Sequence, residues 1–499
     1  MIVINKELCT GCGNCEKDCP LDAIRVVADK AEVADHCVSC GVCVRNCFFE
    51  ALTKEEQDQL GAIKCTACPV RCEILKGNTG ACKRYLNEGK SLIRTRDLVT
   101  EVPDHTTEAG NLKPLITAVG AGTTYPDACY APHIVQGVQD GVDVVTVVTE
   151  APLSYSGVKV KIDTNFYIGE EGASVRRDGK IVGMLFTEEY GSKMISIGGV
   201  NLLTGNSGFN VAKTIVDISN REKVTLKVDQ GPTLELQVGK RPIINGKEDE
   251  RMRIGCGSAT VGLFAKQLSQ VVDEALVLDY HVVGLLSEHA AGEYVGMNWS
   301  GVVPNARKST RGRYFGEHGN GWGGTNIQNP LDAILRIDTS IAKAGMKILV
   351  TDTTGQNAAQ LTVDADGNVR EVALEPEVAA LVQQIRDNCE ESRVSAIYTG
   401  GSGGSARGGV TTYPVKLSKA IHAGDAKLTI GGAETFILPG GGINFEVDVE
   451  KVVPKAFTWV PSPATVAPVE YTMKKDKYTQ IGGHVDQIVD VATIKNRSQ

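Results

Sequence analysis

The chain has 499 residues. That is too many for one small metal-binding module and enough for two to four domains of about 100–200 residues each. Apolar residues make up 42% and charged residues 22%, so it should fold throughout; its 52 basic and 60 acidic residues include no Lys/Arg-rich tract interleaved with aromatics, so nucleic acid is not an expected partner.

The start, MIVINKELC, runs straight into a cysteine motif, so no export signal is expected. Of the fifteen cysteines, twelve precede residue 83 in tight groups, and only Cys129, Cys256 and Cys389 follow. Such clustering points to metal ligation rather than disulfide staples, and it expects a reducing, cytoplasmic compartment in which thiolates stay available. Cys9, Cys12, Cys15 and Cys19 follow the bacterial ferredoxin spacing, and Cys37, Cys40, Cys43 and Cys47 repeat it 28 residues later. In that spacing three thiolates of one run bind three irons of one cube and the fourth crosses to the other cluster. The expected sets are Cys9, Cys12, Cys15 with Cys47, and Cys37, Cys40, Cys43 with Cys19, holding two [4Fe–4S] clusters. A pair of zinc sites is the competing reading, although zinc ribbons use two Cys pairs rather than a four-Cys run.

Cys65, Cys68, Cys72 and Cys82 form a further set, with Gly77 and Gly80 in the connecting loop. Four soft sulfur ligands suit a third Fe–S cluster or a structural zinc, and spacing does not choose between them. Leu75 stands where a radical S-adenosylmethionine motif would need its third cysteine.

The polar stretch 93–114, with Pro103 and Pro114, reads as a linker. Between residues 142 and 239, short alternating segments such as VDVVTVVT, VKVKID, KIVGMLFT and VTLKVD predict a largely antiparallel β region. The apolar stretches 142–149 and 271–286 are too short to span a bilayer or are interrupted by Asp273, Glu274, Asp279 and His281, so no membrane partner is expected. Helices are predicted over 261–275, 331–344 and 375–386, among the strands KILVTD, VSAIYTG and AKLTIGG.

The expected fold class is α+β / mixed α/β. In chain order it comprises a two-cluster ferredoxin-type domain (1–56), a third four-cysteine metal module (57–92), a linker (93–113), a β-rich catalytic subdomain (114–250) and a mixed α/β catalytic subdomain (251–499).

Two loops carry the remaining chemistry. Residues 399–409, TGGSGGSARGG, lie between a strand-like and a helix-like segment. Their backbone amides could approach an anion, Ser402 and Ser405 add donors, and Arg407 could pair with a carboxylate or phosphate; a flexible connector is the plain alternative. No GxGxxG fingerprint supports nicotinamide binding. Residues 299–324 gather Arg307, Lys308, Arg311, Arg313, Tyr314, Glu317, His318 and Trp322 among glycines, the materials of a pocket for a flat anionic ligand, with His318 as a proton donor. His281 reads as a core histidine, Glu288 and His289 as weaker acid/base candidates, and Cys256 as a buried thiol or an attachment point. With 55 glycines in the chain, any one Gly-rich loop is modest support.

The doubled ferredoxin run, the CTACPVRCEILKGNTGACKRY segment and the GGSGGSARGGV loop together resemble the 6-hydroxynicotinate reductases of nicotinate catabolism. The resemblance implies ferredoxin-dependent reduction of 6-hydroxynicotinate to 1,4,5,6-tetrahydro-6-oxonicotinate, with Fe–S clusters and a flavin as cofactors. It also implies ferredoxin or a similar low-potential donor as partner and a small heteroaromatic carboxylate as substrate. On that expectation Arg407 or Arg311 holds the substrate carboxylate and His318 donates a proton. A non-catalytic electron-transfer subunit and a reductase of another unsaturated ring share the same features, and homo-oligomerisation is left open.

Overall fold

The computed structural model describes residues 1–55, 61–65, 70–95, 130–131, 133–149, 156–187, 192–253, 255–401, 409–437, 444–460, 464–466 and 469–493. They form mixed α/β structure in two compact units, neither continuous in the chain. One comprises Met1–Lys159, Ile197–Glu222 and Ala396–Gln499; the other comprises Val160–Ser196 and Lys223–Ser395. Among the described residues no helix is long and apolar enough to cross a membrane.

The first unit opens with the cysteine-rich segment. Strand Ile2–Ile4 pairs antiparallel with Leu52–Lys54, and Ile24–Val27 with Lys30–Val33. Between them lie the one-turn helices Asn14–Lys17 and Val42–Arg45, each entered through a left-handed glycine, Gly13 at φ 78° and Gly41 at φ 83°. With so few residues to bury, the cysteines themselves supply much of the core: Cys9, Cys15 and Cys43 are buried with Ile2, Ile24, Ala31, Ala51 and Leu52. In the third cysteine set, the two-residue strands Ile63–Lys64 and Glu73–Ile74 pair and place Cys65 opposite Cys72. Tyr85–Asn87 then pairs with Leu92–Arg94. Ile93, read from sequence as the start of the linker, is therefore in a strand; most of the linker lies outside the described residues.

The rest of this unit is an antiparallel sheet. It runs from the Ala396-onward part of Val394–Gly401 through Asn444–Asp448, Ala433–Ile437, Ala426–Ile430, Val469–Lys474, Val142–Thr149 and His133–Gln139, with Val489–Asp490 parallel at the edge. Within the region expected to be β lies a helix, Gly208–Ser219. Its Val211, Thr214, Ile215, Val216 and Ile218 are β-branched and favour strands locally. Yet Val211, Ala212, Ile215 and Ile218 are buried at helical spacing, and tertiary packing overrides the propensity.

The second unit has a seven-stranded sheet ordered Arg307–Thr310, Arg313–Phe315, Val282–Leu285, Glu274–Asp279, Lys347–Asp352, Ala358–Val363 and Val369–Val372; the central pair is parallel and the others are antiparallel. Strand alternation divides its core. Ala275, Val277 and Leu349 face the helices Gly257–Val271 and Pro376–Asp387, packing on Val261, Leu268, Leu381 and Ile385. Leu276, Leu278, Ile348 and Val350 face the other way, toward Val302, Tyr314 and Ala333. Each buried Leu or Val contributes about 1.5–3 kcal/mol relative to exposure. The helices expected over 261–275 and 375–386 are present with ends shifted by a few residues.

The helix expected over 331–344 is not. Pro330–Ala333 is a single 3-10 turn capped by Asn329, and Ile334–Ile337 pairs with Val302–Pro304. The apolar positions that imitate a helical stripe are met instead by the turn and a short strand, which bring Leu331, Ile334 and Ile337 onto the same core. A second group of strands in this unit, Lys180–Thr187, Ser174–Arg177, Val224–Val228, Thr233–Leu236, Ile243–Ile244 and Lys247–Glu248, forms antiparallel hairpins.

Candidate iron–sulfur and active sites

The structure brings Cys47 of the second run to the same cavity as Cys9, Cys12 and Cys15 of the first. One cavity is lined by Cys9, Cys12, Cys15 and Cys47, with Val26, Phe49 and Leu52 among its apolar walls. In the other run, burial raises the thiols of Cys37, Cys40 and Cys43, with Cys40 pushed up to about 11 and Cys43 to about 12. Backbone hydrogen bonds from Ser39 and Val42 oppose this at Cys37 and Cys40, and neighbouring thiols add to it, Cys19 of the first run acting on all three. Backbone amides point at sulfur: Ala23 donates to Cys19 at 3.2 Å, Ala31 to Cys9 at 3.3 Å and Ala51 to Cys47 at 3.4 Å. Amides aimed at sulfur stabilise thiolate and tune a bound cluster, so this donor set fits iron–sulfur ligation. Gly11 is required sterically, because a Cβ there would lie 2.6 Å from the Asp29 carbonyl.

The third set adjoins the second run. The Cys65 amide donates to the Cys72 carbonyl at 2.8 Å, and the Glu73 amide to the Val38 carbonyl at 3.1 Å. Cys65 and Cys72 are buried with Val38, Ile74 and Ala81, and Cys40 packs against the same cluster. Cys82 is half-buried, and Cys68 lies outside the described residues. Among the described residues no three Cys, His, Asp or Glu side chains close on one point as ligands of a single ion would.

In the second unit His318 lies in a layer of rings. Its imidazole stacks on Tyr167 at 4.3 Å and 15° and lies nearly parallel to Tyr280 at 5.6 Å and 10°, while His281 meets it edge-on at 5.1 Å. His281 is therefore half-buried in a polar aromatic layer, not enclosed in the apolar core that its neighbours suggested. The backbone explains the placement. His318 bridges to Thr325, the Gly319 amide donates to the Gly324 carbonyl at 2.8 Å, and the Tyr167 amide donates to the Gly319 carbonyl at 3.3 Å. Gly324, at φ 79°, lies where a Cβ would be 1.9 Å from the Asn165 carbonyl and 3.0 Å from the Tyr280 ring. Polar groups complete the layer: Lys193, fully buried, sits 4.0 Å from the Tyr280 ring centre, and His318 Nε2 lies 3.5 Å from Glu170 Oε1, which also accepts from Tyr167 at 2.5 Å. The buried Asn165 Nδ2 has no hydrogen-bond partner among the described residues. Sequence reasoning found His318 and missed Tyr167, Tyr280, Lys193 and Asn165, which sit in segments with no motif of their own.

Arg311 is exposed in the turn between Arg307–Thr310 and Arg313–Phe315, and it pairs with Glu293 at 3.1 Å. Glu288 accepts from Lys308 at 2.6 Å and from the Tyr314 hydroxyl at 2.5 Å. Burial pushes its carboxyl up, but these two donors outweigh it and the net shift is downward. His289 Nδ1 accepts the Ala291 amide at 3.1 Å, so in the neutral ring Nε2 carries the proton and donates to Ser258 Oγ at 2.8 Å. That tautomer cannot take a proton from Ser258, and a Ser–His nucleophile is not formed. Burial first, then the Arg313 charge, lower the His289 pKa. Cys256 stands at the N-terminus of helix Gly257–Val271 and is half-buried. Ser402, Ser405 and Arg407 lie outside the described residues.

A cavity of 720 Å³ in this unit is lined by Lys223, Lys240, Arg241 and Arg393 against Glu235, Glu248, Glu390 and Glu391. Its charges are largely paired, as in Lys223–Glu235 at 2.5 Å and Arg241–Glu248 at 3.1 Å. So charged a lining does not fit the flat apolar face of a flavin.

The 4Fe-4S binding domain family matches residues 2–25. A protein of Eubacterium barkeri named 6-hydroxynicotinate reductase is 56% identical over 499 residues, covering 99% of this chain and 100% of that protein. No solved structure matches the chain. An identity of that size from end to end, on a chain that opens with ferredoxin-type cysteines, is that of an iron–sulfur reductase, and the chain belongs to the 6-hydroxynicotinate reductase family.

Proposed function

We propose that this iron–sulfur oxidoreductase reduces 6-hydroxynicotinate to 1,4,5,6-tetrahydro-6-oxonicotinate, taking electrons from ferredoxin or a similar low-potential donor. The observation that carries the reading is the 56% identity to a 6-hydroxynicotinate reductase along the whole chain. Saturating one C=C bond of the ring consumes two electrons and two protons. [4Fe–4S] clusters, when bound, supply the electrons one at a time.

Cys9, Cys12, Cys15 and Cys47 would hold one cluster and Cys37, Cys40, Cys43 and Cys19 the second. Cys65, Cys68, Cys72 and Cys82 would hold a third. The packing of Cys40 against the apolar cluster that contains Cys65 and Cys72 favours a cluster over zinc at that third position, because it brings the third ligand set beside the second. His318 is the proton donor: its ring plane is fixed by Tyr167 and Tyr280, and Glu170 Oε1 lies 3.5 Å from its Nε2. Arg407 or Arg311 holds the substrate carboxylate, and Ser402 and Ser405 are donors of the cofactor-binding loop. The flavin implied by the resemblance does not fit the charged lining of the 720 Å³ cavity. The reducing cytoplasm is the compartment in which these thiols would stay available.

The test is steady-state turnover under strict anaerobiosis with a viologen donor, comparing 6-hydroxynicotinate with 2-pyridone, which lacks the carboxylate. Turnover of the first with much weaker turnover of the second is expected. Equal rates would remove the arginines from recognition, and no turnover of either would assign the reductase to another substrate.

A further inference from the structure

Asp18 immediately precedes Cys19, and Asn46 immediately precedes Cys47, the two cysteines that cross between the ligand sets. Their side chains meet: Asn46 Nδ2 donates to Asp18 Oδ2, and both residues are buried. The second carboxylate oxygen accepts from Lys213 Nζ at 2.8 Å; the Asp18 side chain is 2% exposed and that of Lys213 26%. Lys213 belongs to no cysteine motif and projects from helix Gly208–Ser219.

The ammonium is held in place. It lies 5.1 Å from the centre of the Trp459 ring, and that ring meets Phe209 of the same helix edge-on at 6.1 Å. Just past the helix, Asn220 exchanges hydrogen bonds with the Phe457 backbone, donating at 2.8 Å and accepting at 3.0 Å. Helix and segment 457–459 thus fix the direction of approach of the charge.

A thiolate-ligated cluster gains a negative charge on reduction, so fixed charges near its ligands set its potential. An unpaired carboxylate one residue from Cys19 would oppose reduction, and an ammonium 2.8 Å away offsets it. Burial of Asp18 keeps salt from screening the pair as it would an exposed one. We propose that Lys213 is a positioning residue that raises the reduction potential of the cluster bound through Cys19, so that a helix outside the cysteine-rich segment sets how readily that segment accepts electrons. The inference rests on the reading that the doubled run holds [4Fe–4S] clusters.

The experiment is an EPR-monitored redox titration of the full cluster-loaded chain, with iron and sulfide determined on each sample. Lys213→Gln keeps a donor toward Asp18 but removes the charge, and its midpoint should shift to more negative potential. Lys213→Arg should keep the parental midpoint, and Asp18→Asn should shift it to more positive potential, all with parental iron content. A parental midpoint in Lys213→Gln with iron intact overturns the proposal. Loss of iron in Lys213→Gln also overturns it, because the residue would then retain the clusters instead of tuning them. A parental chain without [4Fe–4S] signals would remove the cluster reading itself, a failure visible before any variant is titrated.

Discussion

Arg84 donates through its guanidinium to the carbonyl of Ala456 at 2.7 Å, and the same side chain reaches Thr458 Oγ1 at 3.1 Å. Arg84 lies two residues after Cys82 and is 4% exposed, so the third cysteine set is tied to a distant segment by a buried cation. Arg84→Met should cost about 2–4 kcal/mol, since hydrogen bonds to charged groups contribute about 1.5–3 kcal/mol each and their buried acceptors lose a partner. Thermal unfolding combined with iron analysis checks this; an unchanged midpoint and parental iron would contradict it.

His318→Gln keeps a flat polar side chain in the ring layer and removes the titratable group. The expected loss in kcat is on the order of 10²–10⁴-fold, the usual range for a general acid, with cluster spectra unchanged. A parental kcat would exclude His318 as donor. Gly324→Ala should act on the same layer indirectly, since its Cβ would collide with the Asn165 carbonyl and press on Tyr280.

Arg407→Ala should raise KM for 6-hydroxynicotinate by about 10–100-fold, the equivalent of one lost charge-assisted contact, while lowering kcat much less. The measurement is a full substrate saturation curve at constant donor concentration. Unchanged KM would take Arg407 out of the site.

His289 should leave a signature in stability against pH. Burial and Arg313 depress its folded pKa, so its contribution is fully present above the ordinary histidine value of about 6.5 and is lost as pH falls through the lower folded value. On acidification from about pH 7.5, the parent should lose more stability than His289→Asn, which lacks the titration and can still accept the Ala291 amide. Parallel unfolding profiles would contradict this sign.

The cysteine geometry was legible because ligand spacing is local: the run that places Cys9, Cys12 and Cys15 on one cavity also delivers Cys47 to it once the second copy folds alike. Strands such as Val142–Thr149 and Lys180–Thr187 were legible for the same reason, since alternation and flanking turns are short-range signals. Helix Gly208–Ser219 was hidden by its β-branched residues, and 331–344 was misread because Leu331, Ile334 and Ile337 imitate helical spacing. The ring layer was beyond sequence reasoning except at His318: Tyr167 and Tyr280 lie in unrelated strand-end segments and meet it only through tertiary structure. Lys213 was equally invisible, because nothing in its own segment refers to Asp18.

The most direct test of substrate and electron route together is a single turnover. The chain is reduced anaerobically with ferredoxin, freed of excess donor and mixed with 6-hydroxynicotinate, while the cluster absorbance and the ring's ultraviolet band are followed at once. Cluster reoxidation and loss of the ring band should proceed with one common rate constant, at one ring reduced for every two electrons released. Clusters that stay reduced while the ring band is unchanged would contradict the account.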